Sequence, residues 1–360
     1  MEDRDLLIFL NSLNFLSENA LKVYNFLHDN EIEVENFDSV DFVEEEVLSK
    51  RSNDKLHEMH PKIDEILESV KEEARAKEIK IVTILDDDYP KSLSYIEDPP
   101  SVLYIKGDLK LKNPLAFVGA RKHTSYGENV VNRLIDGLKG YDFTIVSGMA
   151  YGIDSLAHKR ALYNNLNTVA VLGSGVDVVY PKRNRNLYDE IINSHGAVIS
   201  EFPMGLHANT YTFPMRNRII SGLSDAVVVV EAKDKSGSLI TARLAAEQGR
   251  EILSVPGNIN STYSVGTNKL IRDGAIPLIE VQDILDLYPD MKSNSNLDFD
   301  IDLDAEELVV FNLLKDGLGS ANDISAKLNK DIIYINKILT MLELKGAIER
   351  FSMNEFKTLF

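Results

Sequence analysis

Three short runs of β-forming residues in this chain end one after another in a glycine turn, and this pattern restricts the fold more than any other feature. Residues 115–118 run into Gly119, residues 144–147 into Gly148, and residues 168–172 into Gly173. Further runs of the same kind occupy 197–200, 226–231, 251–255 and 277–280, and helical periodicity fills the gaps, as with Val130, Val131, Leu134, Ile135 and Leu138. Near-continuous valine, as at 227–230, suits strands covered on both faces. Strand alternating with helix predicts an α/β fold, a doubly wound and mainly parallel sheet. In such a sheet the carboxyl ends of the strands share one edge, and ligands bind there.

The residues at that edge point to an anion. Glycines let backbone N–H groups approach an anion closely, and the helix that follows offers its positive end. Ser125 and Glu128 have capping-box spacing, so a helix is expected to start at Ser125, with Gly119 and Arg121 just ahead of it. Gly173, Ser174 and Gly175 form the third turn, and Lys182, Arg183, Asn184 and Arg185 follow Tyr180-Pro181 as a donor-rich segment. Arg216, Asn217 and Arg218 form a second one. Arg, Lys and Asn bond sugar-phosphate chains, while Tyr180 and Tyr188 either stack a base or pack at the rim. Arg216 and Arg218 have an intramolecular alternative, ion pairs with Glu201 or Glu231.

No nucleotide cofactor is expected. After Gly173-Ser174-Gly175 the third glycine of a dinucleotide fingerprint is missing, the second strand ends in Ser147-Gly148 and not in an acid, and no G-x-x-x-x-G-K-[ST] string occurs. Catalysis also finds little footing. His57-Glu58-Met59-His60 lacks zinc-protease spacing, so no metal site is expected. Asp154 and His158 share a helix face, as an acid/base couple or as a structural hydrogen bond at a helix start. Ser236-Gly237-Ser238, ahead of a helix expected over 241–249, reads as a backbone anion nest or a plain cap.

The flanks differ from this middle. Residues 1–78 read as a helical domain, with Leu6, Leu7, Phe9, Leu10, Leu13 and Phe15 at helical spacing and Ile63, Ile66, Leu67, Val70 and Ala74 on one face of a later helix. Residues 289–302 are polar and aperiodic, a linker. Beyond it three helix signals and a strand-like tail from Ile348 give a winged-helix-like domain over 303–360. Charge follows the same division. Residues 1–114 hold 14 basic against 27 acidic side chains (−13), residues 115–288 hold 17 against 17, and residues 289–360 hold 8 against 13 (−5), which accounts for the total of −18. The neutral middle can therefore carry a local basic groove, since screening limits distant charges to about 10 Å. With no cysteine, no apolar run near the ~18 residues of a membrane span, and an acidic start unlike a signal peptide, a cytoplasmic location is expected.

Several ordered motifs resemble the DprA/Smf family of DNA-processing proteins: 118–127, 147–158, 172–184, 200–203, 213–224, VVVVEAKDKSGSLITA at 227–242, 254–257 and GTNKLIRDGA at 266–275. Residues 81–109, with Asp88-Tyr89-Pro90 and PPSVLYIKG at 99–107, resemble the lead-in to the same core. The resemblance covers about 80–288. It implies a Rossmann-like core (79–288) that binds single-stranded DNA without a cofactor, delivery of that DNA to the RecA recombinase in natural transformation, homodimerisation through the core, and a SAM-like N-terminal domain. The family's strand-binding Arg and Lys fall on Arg121 and Lys182, with Gly119, Gly173 and Asn184 in the same motifs. Two departures stand out. Residues 11–18 lack the family's G-I-G hairpin, and the recognition helix of the winged domain offers Lys330 and Lys337 but also Asp331. A rival reading keeps the glycine edge but makes the protein a nucleotide-phosphate-binding enzyme of the Rossmann-like phosphoribohydrolase type, although its P-G-G-x-G-T signature is absent.

Overall fold

The computed structural model describes residues 1–291, 303–315, 317–350 and 355–358. The expected linker therefore lies outside the described residues beyond 291. The chain divides into two compact units, Met1–Ser293 and Asn294–Phe360.

The first unit opens with four helices, α1 (Asp3–Ser12), α2 (Ser17–Asp29), α3 (Lys50–Met59) and α4 (Ile63–Ala76). The α1 helix buries every residue from Leu6 to Asn11. One hydrophobic cluster joins Leu6, Phe9 and Leu10 to Tyr104, Ala170, Leu172 and Val198, so the helices and the sheet share a core. A polar clip fixes the docking. Tyr104 donates its hydroxyl to Asn11 Oδ1 (3.0 Å), and Asn11 Nδ2 donates to the Glu201 carbonyl (2.9 Å). The α3 helix escaped the periodicity reading because it buries only Asn53 and Leu56.

The rest of the unit runs β1 (Lys80–Thr83), α5 (Lys91–Ser94), β2 (Val102–Gly107), β3 (Pro114–Val118), α6 (Ser125–Gly137), β4 (Thr144–Ser147), α7 (Ile153–Tyr163), β5 (Asn167–Val171), α8 (Arg185–Asn193), β6 (Ala197–Ser200), α9 (Thr212–Leu223), β7 (Ala226–Val229), α10 (Gly237–Glu247), β8 (Glu251–Ser254), α11 (Val265–Arg272), β9 (Ile276–Pro277) and α12 (Gln282–Leu285). The nine strands form one sheet in the order β1-β2-β6-β5-β4-β3-β7-β8-β9. Strands β3 to β9 pair in parallel, and β1 and β2 add an antiparallel edge beside β6.

Side chains alternate between the faces as strand geometry requires. In β3, Leu115 and Phe117 enter one core with Val131, Leu134 and Ala157, while Ala116 and Val118 enter the other with Ile219, Ile220 and Ala242. This is the expected doubly wound, Rossmann-like sheet. From β3 the chain winds outward through β4, β5 and β6, then crosses to β7 on the opposite side. The β3/β7 pair is thus the switch point where a crevice opens at the strand ends.

The second unit contains α13 (Ala305–Lys315), α14 (Ala321–Leu328), α15 (Ile332–Leu344) and the antiparallel hairpin of β10 (Ile348–Arg350) and β11 (Phe356–Thr358). These are the parts of a winged helix. Its first helix starts with a reciprocal capping box. Glu307 N donates to Asp304 Oδ1 (2.8 Å) and Asp304 N to Glu307 Oε2 (2.8 Å). Among the described residues no helix is long and apolar enough to cross a membrane.

Candidate functional site

A cleft of about 530 Å³ lies at the switch point. Val118 and Gly119 from the end of β3 form one wall, and Ser236, Gly237 and Ser238 at the start of α10 form another. Phe213, Arg216 and Asn217 of α9 lie between them, and Arg121 and Tyr180 contribute from neighbouring loops.

Two cations sit in this cleft in different states. Arg121 is exposed, and its guanidinium lies over the Phe213 ring, 5.3 Å from the centroid. The same ring meets Tyr180 at 5.5 Å, tilted by 46°. Arg121 makes no ion pair among the described residues, so its charge is directed by an aromatic surface and left available. Arg216 is only 4% exposed. It donates from Nη1 to the carbonyls of Gly148 (2.6 Å) and Val171, and from Nε to Asn217 Oδ1 (3.2 Å). Burial lowers it to about 10; Asp154 opposes that shift and Arg121 adds to it, and the group stays charged at neutral pH. Gly148 makes the arrangement possible, because a Cβ there would fall on the Arg216 guanidinium.

The amino ends of the first two crossover helices carry carboxylates from within the fold. At α6 the cap is Thr124, not Ser125, with its Oγ1 accepting from Gly127 N (3.3 Å). Glu231, 2% exposed, accepts from Thr124 N (2.9 Å) and Thr124 Oγ1 (2.5 Å). The anion seat expected at Ser125 is therefore taken by an internal carboxylate. At α7 Asp154 Oδ2 accepts from the amides of Gly148 (3.2 Å) and Ala150 (3.4 Å). Burial raises the Asp154 carboxyl above the ordinary range, against the pull of Arg216. His158 does not pair with it. Its Nδ1 lies 2.7 Å from Thr168 Oγ1, and burial pushes it down to about 3.

Of the residues expected at the site, Gly119, Arg121, Arg216 and Asn217 converge on the cleft. Lys182 is exposed just beyond Tyr180, after the cis Tyr180–Pro181 bond. Asn184 is buried and works from behind, donating Nδ2 to Met149 O (2.8 Å) and Ser155 Oγ (2.9 Å). The third glycine turn faces inward. Ser174 donates Oγ to Val178 O (2.7 Å), Gly175 N donates to Leu206 O (2.8 Å), and Gly173 lies against Phe213. Direct ligand contact expected of Ser174 and Gly175 gives way to loop closure.

Arg218 needs the plainest correction. It donates from Nη2 to Glu201 Oε2 (2.5 Å) and from Nε to Asp98 Oδ2 (2.8 Å), the intramolecular alternative, and takes no place in the cleft. Two roles had no sequence signal: the Phe213 ring under Arg121, and Glu231, expected only as an ion-pair alternative for the arginines, sealing α6. Both depend on contacts over 90 or more positions, which no local pattern encodes.

The model of the family described as DNA recombination-mediator protein A matches residues 80–289. The chain is 39% identical to the DNA processing protein DprA of Bacillus subtilis over 238 residues, 65% of this chain and 78% of that one. The X-ray structure of DNA processing protein A from Streptococcus pneumoniae superposes with a TM-score of 0.66 at 34% identity, covering 79% of this chain and 98% of that one. DNA processing protein A from Helicobacter pylori, whose structure concerns its single-stranded DNA binding mode, gives a TM-score of 0.53 at 30% identity over 58% of this chain and 94% of that one. The chain belongs to the DNA recombination-mediator protein A family, the DNA processing proteins DprA and Smf.

Proposed function

We propose that this cleft grips single-stranded DNA without strong sequence preference, and that the protein delivers the strand to the RecA recombinase in natural transformation. It acts in the cytoplasm as a homodimer joined through the Rossmann-like core, and it binds without catalysing a reaction. The observation that carries this reading is the mouth of the cleft, where Arg121, free of ion pairs among the described residues, rests on the Phe213–Tyr180 aromatic pair. A cation beside aromatic rings suits a phosphate next to a base, and neither contact reads sequence. Lys182, exposed two positions past Tyr180, extends the basic rim. The strand-binding mode of the Helicobacter pylori relative supports the choice of ligand, and the family's description as a recombination mediator supports hand-over to a recombinase. Asp154 and His158, with separate partners, support binding over acid/base chemistry.

Fluorescence anisotropy with a labelled oligo-dT tests the reading, comparing wild type with Arg121→Glu/Lys182→Glu at two salt concentrations. Wild-type binding should weaken with salt, by about 0.7 log units per neutralised phosphate per log unit. The folded double variant should lose it. A salt-insensitive, saturable affinity for a mononucleotide would favour the phosphoribohydrolase-type enzyme instead.

A further inference from the structure

We propose that the floor of the cleft is a phosphate seat, formed by the Arg216 guanidinium and the amino end of α10, that takes a phosphate group carried by a nucleotide. The inference deepens the strand-binding reading and rests on it only for the source of the phosphate.

Two independent observations meet at this point. The first is a buried cation with a spare donor. Arg216 is 4% exposed and lines the cleft, and its Nε and Nη1 are hydrogen-bonded as described. Its Nη2 donates to no atom among the described residues. A largely buried guanidinium that keeps one N–H for the cleft it lines is a ready charge-assisted donor to an anion. The second is α10, an 11-residue helix whose first turn lines the same cleft. Glu231 occupies the capping turn of α6 and Asp154 stands in the first turn of α7, whereas α10 has no acidic residue in its first turn and is capped by its own Ser236, with Oγ 3.4 Å from Ser238 N.

The donor set selects phosphate. The cleft is lined by the guanidinium from α9 and by the first turn of α10 with Ser238 and Thr241. A tetrahedral oxyanion presents oxygens to all of them, whereas a planar carboxylate presents two. Gly237 offers a clean perturbation. A Cβ there meets no atom within 4 Å, and the residue needs no positive φ. Gly237→Asp places a carboxylate in the first turn of α10, which favours the helix while repelling phosphate.

The experiment uses the full chain. Melting temperature and displacement of labelled oligo-dT are followed as phosphate replaces chloride at matched ionic strength. In wild type, phosphate should raise the melting temperature and displace the oligonucleotide. Gly237→Asp should melt at or above the wild-type temperature in chloride, lose the phosphate response, and bind the oligonucleotide about tenfold or more weaker, the loss of one charge-assisted contact. A Gly237-dependent gain from a 5′-phosphate on the oligonucleotide would assign the seat to a strand end; no such gain would assign it to an internal phosphodiester. Absence of a phosphate response in wild type, or an equal response in Gly237→Asp, overturns the seat while leaving salt-dependent strand binding intact. A Gly237-dependent phosphate response without oligonucleotide binding upholds the seat and removes the strand.

Discussion

His158 decides between a binding site and a disguised acid/base site, and its pH linkage is measurable. The ring is fully buried, with Nδ1 2.7 Å from Thr168 Oγ1, and burial lowers it from 6.5 to about 3, with the nearby Arg216 charge acting in the same direction. Folded protein therefore keeps His158 neutral well below pH 6.5, while the unfolded chain protonates it there. Between those values the unfolded state binds more protons, so this stability is fully present above 6.5 and is lost as pH falls towards 3. The slope approaches about 1.4 kcal/mol per pH unit, or roughly 2 kcal/mol between about pH 6 and 4.5. That is a substantial part of a typical net stability of about 5–15 kcal/mol. Urea unfolding followed by far-UV circular dichroism measures it, with His158→Asn as the reference that retains a polar atom near the Nδ1 position. The difference between wild type and variant should shrink by about that amount as the pH is lowered. A difference that stays flat would mean the imidazole titrates normally in the fold, and an acid/base role with Asp154 would be open again.

Three further outcomes follow from the cleft. Gly148→Ala places a methyl on the Arg216 guanidinium and displaces it from the Gly148 and Val171 carbonyls; oligo-dT affinity should fall about tenfold or more by anisotropy, and an unchanged affinity would contradict a role for Arg216. Phe213→Leu removes the ring beneath Arg121; at about 0.5–1 kcal/mol for an exposed cation–π contact, binding should weaken two- to fivefold with little change in melting temperature. Arg218→Met leaves Glu201 buried without its cation; the protein should lose about 3–5 kcal/mol and melt roughly 10 °C lower, while the folded fraction binds DNA as wild type does.

The order of strands and helices from residue 114 onwards was legible because parallel strands buried on both faces read as Val/Ile runs, and each is followed by a periodic helix. The antiparallel β1 and β2 were not read as strands from pattern alone; residues 81–109 entered only through their likeness to the family's lead-in. Helix starts were legible to within a few positions. The α6 cap moved from Ser125 to Thr124, the residue that Glu231 reaches from just beyond β7. The α10 start moved from 241 to Gly237, because Ser236 already caps it. Spacing identifies a capping residue type, but the tertiary partner selects which of two neighbours is used.

The pair Arg216 and Arg218 shows where reading by motif stops. The sequence presents them as one basic cluster, yet two residues along a helix turn by about 200°, so they cannot serve the same surface. Arg216 faces the strand ends, beside Gly148 and Asp154, and lines the same cleft as the first turn of α10. Arg218 faces Glu201 and Asp98, and Ser17 of α2 bonds the same Glu201 oxygen at 3.2 Å. One arginine thus equips the cleft, and the other ties the N-terminal helices to the sheet that carries it. Which does which depends on the rotation of α9 about its axis, set by Ile219, Ile220 and Leu223 packing in the core over β3, β4 and β5. That rotation is a property of the packed core. Substitutions that repack those three positions should therefore disturb DNA binding and the helical clip together.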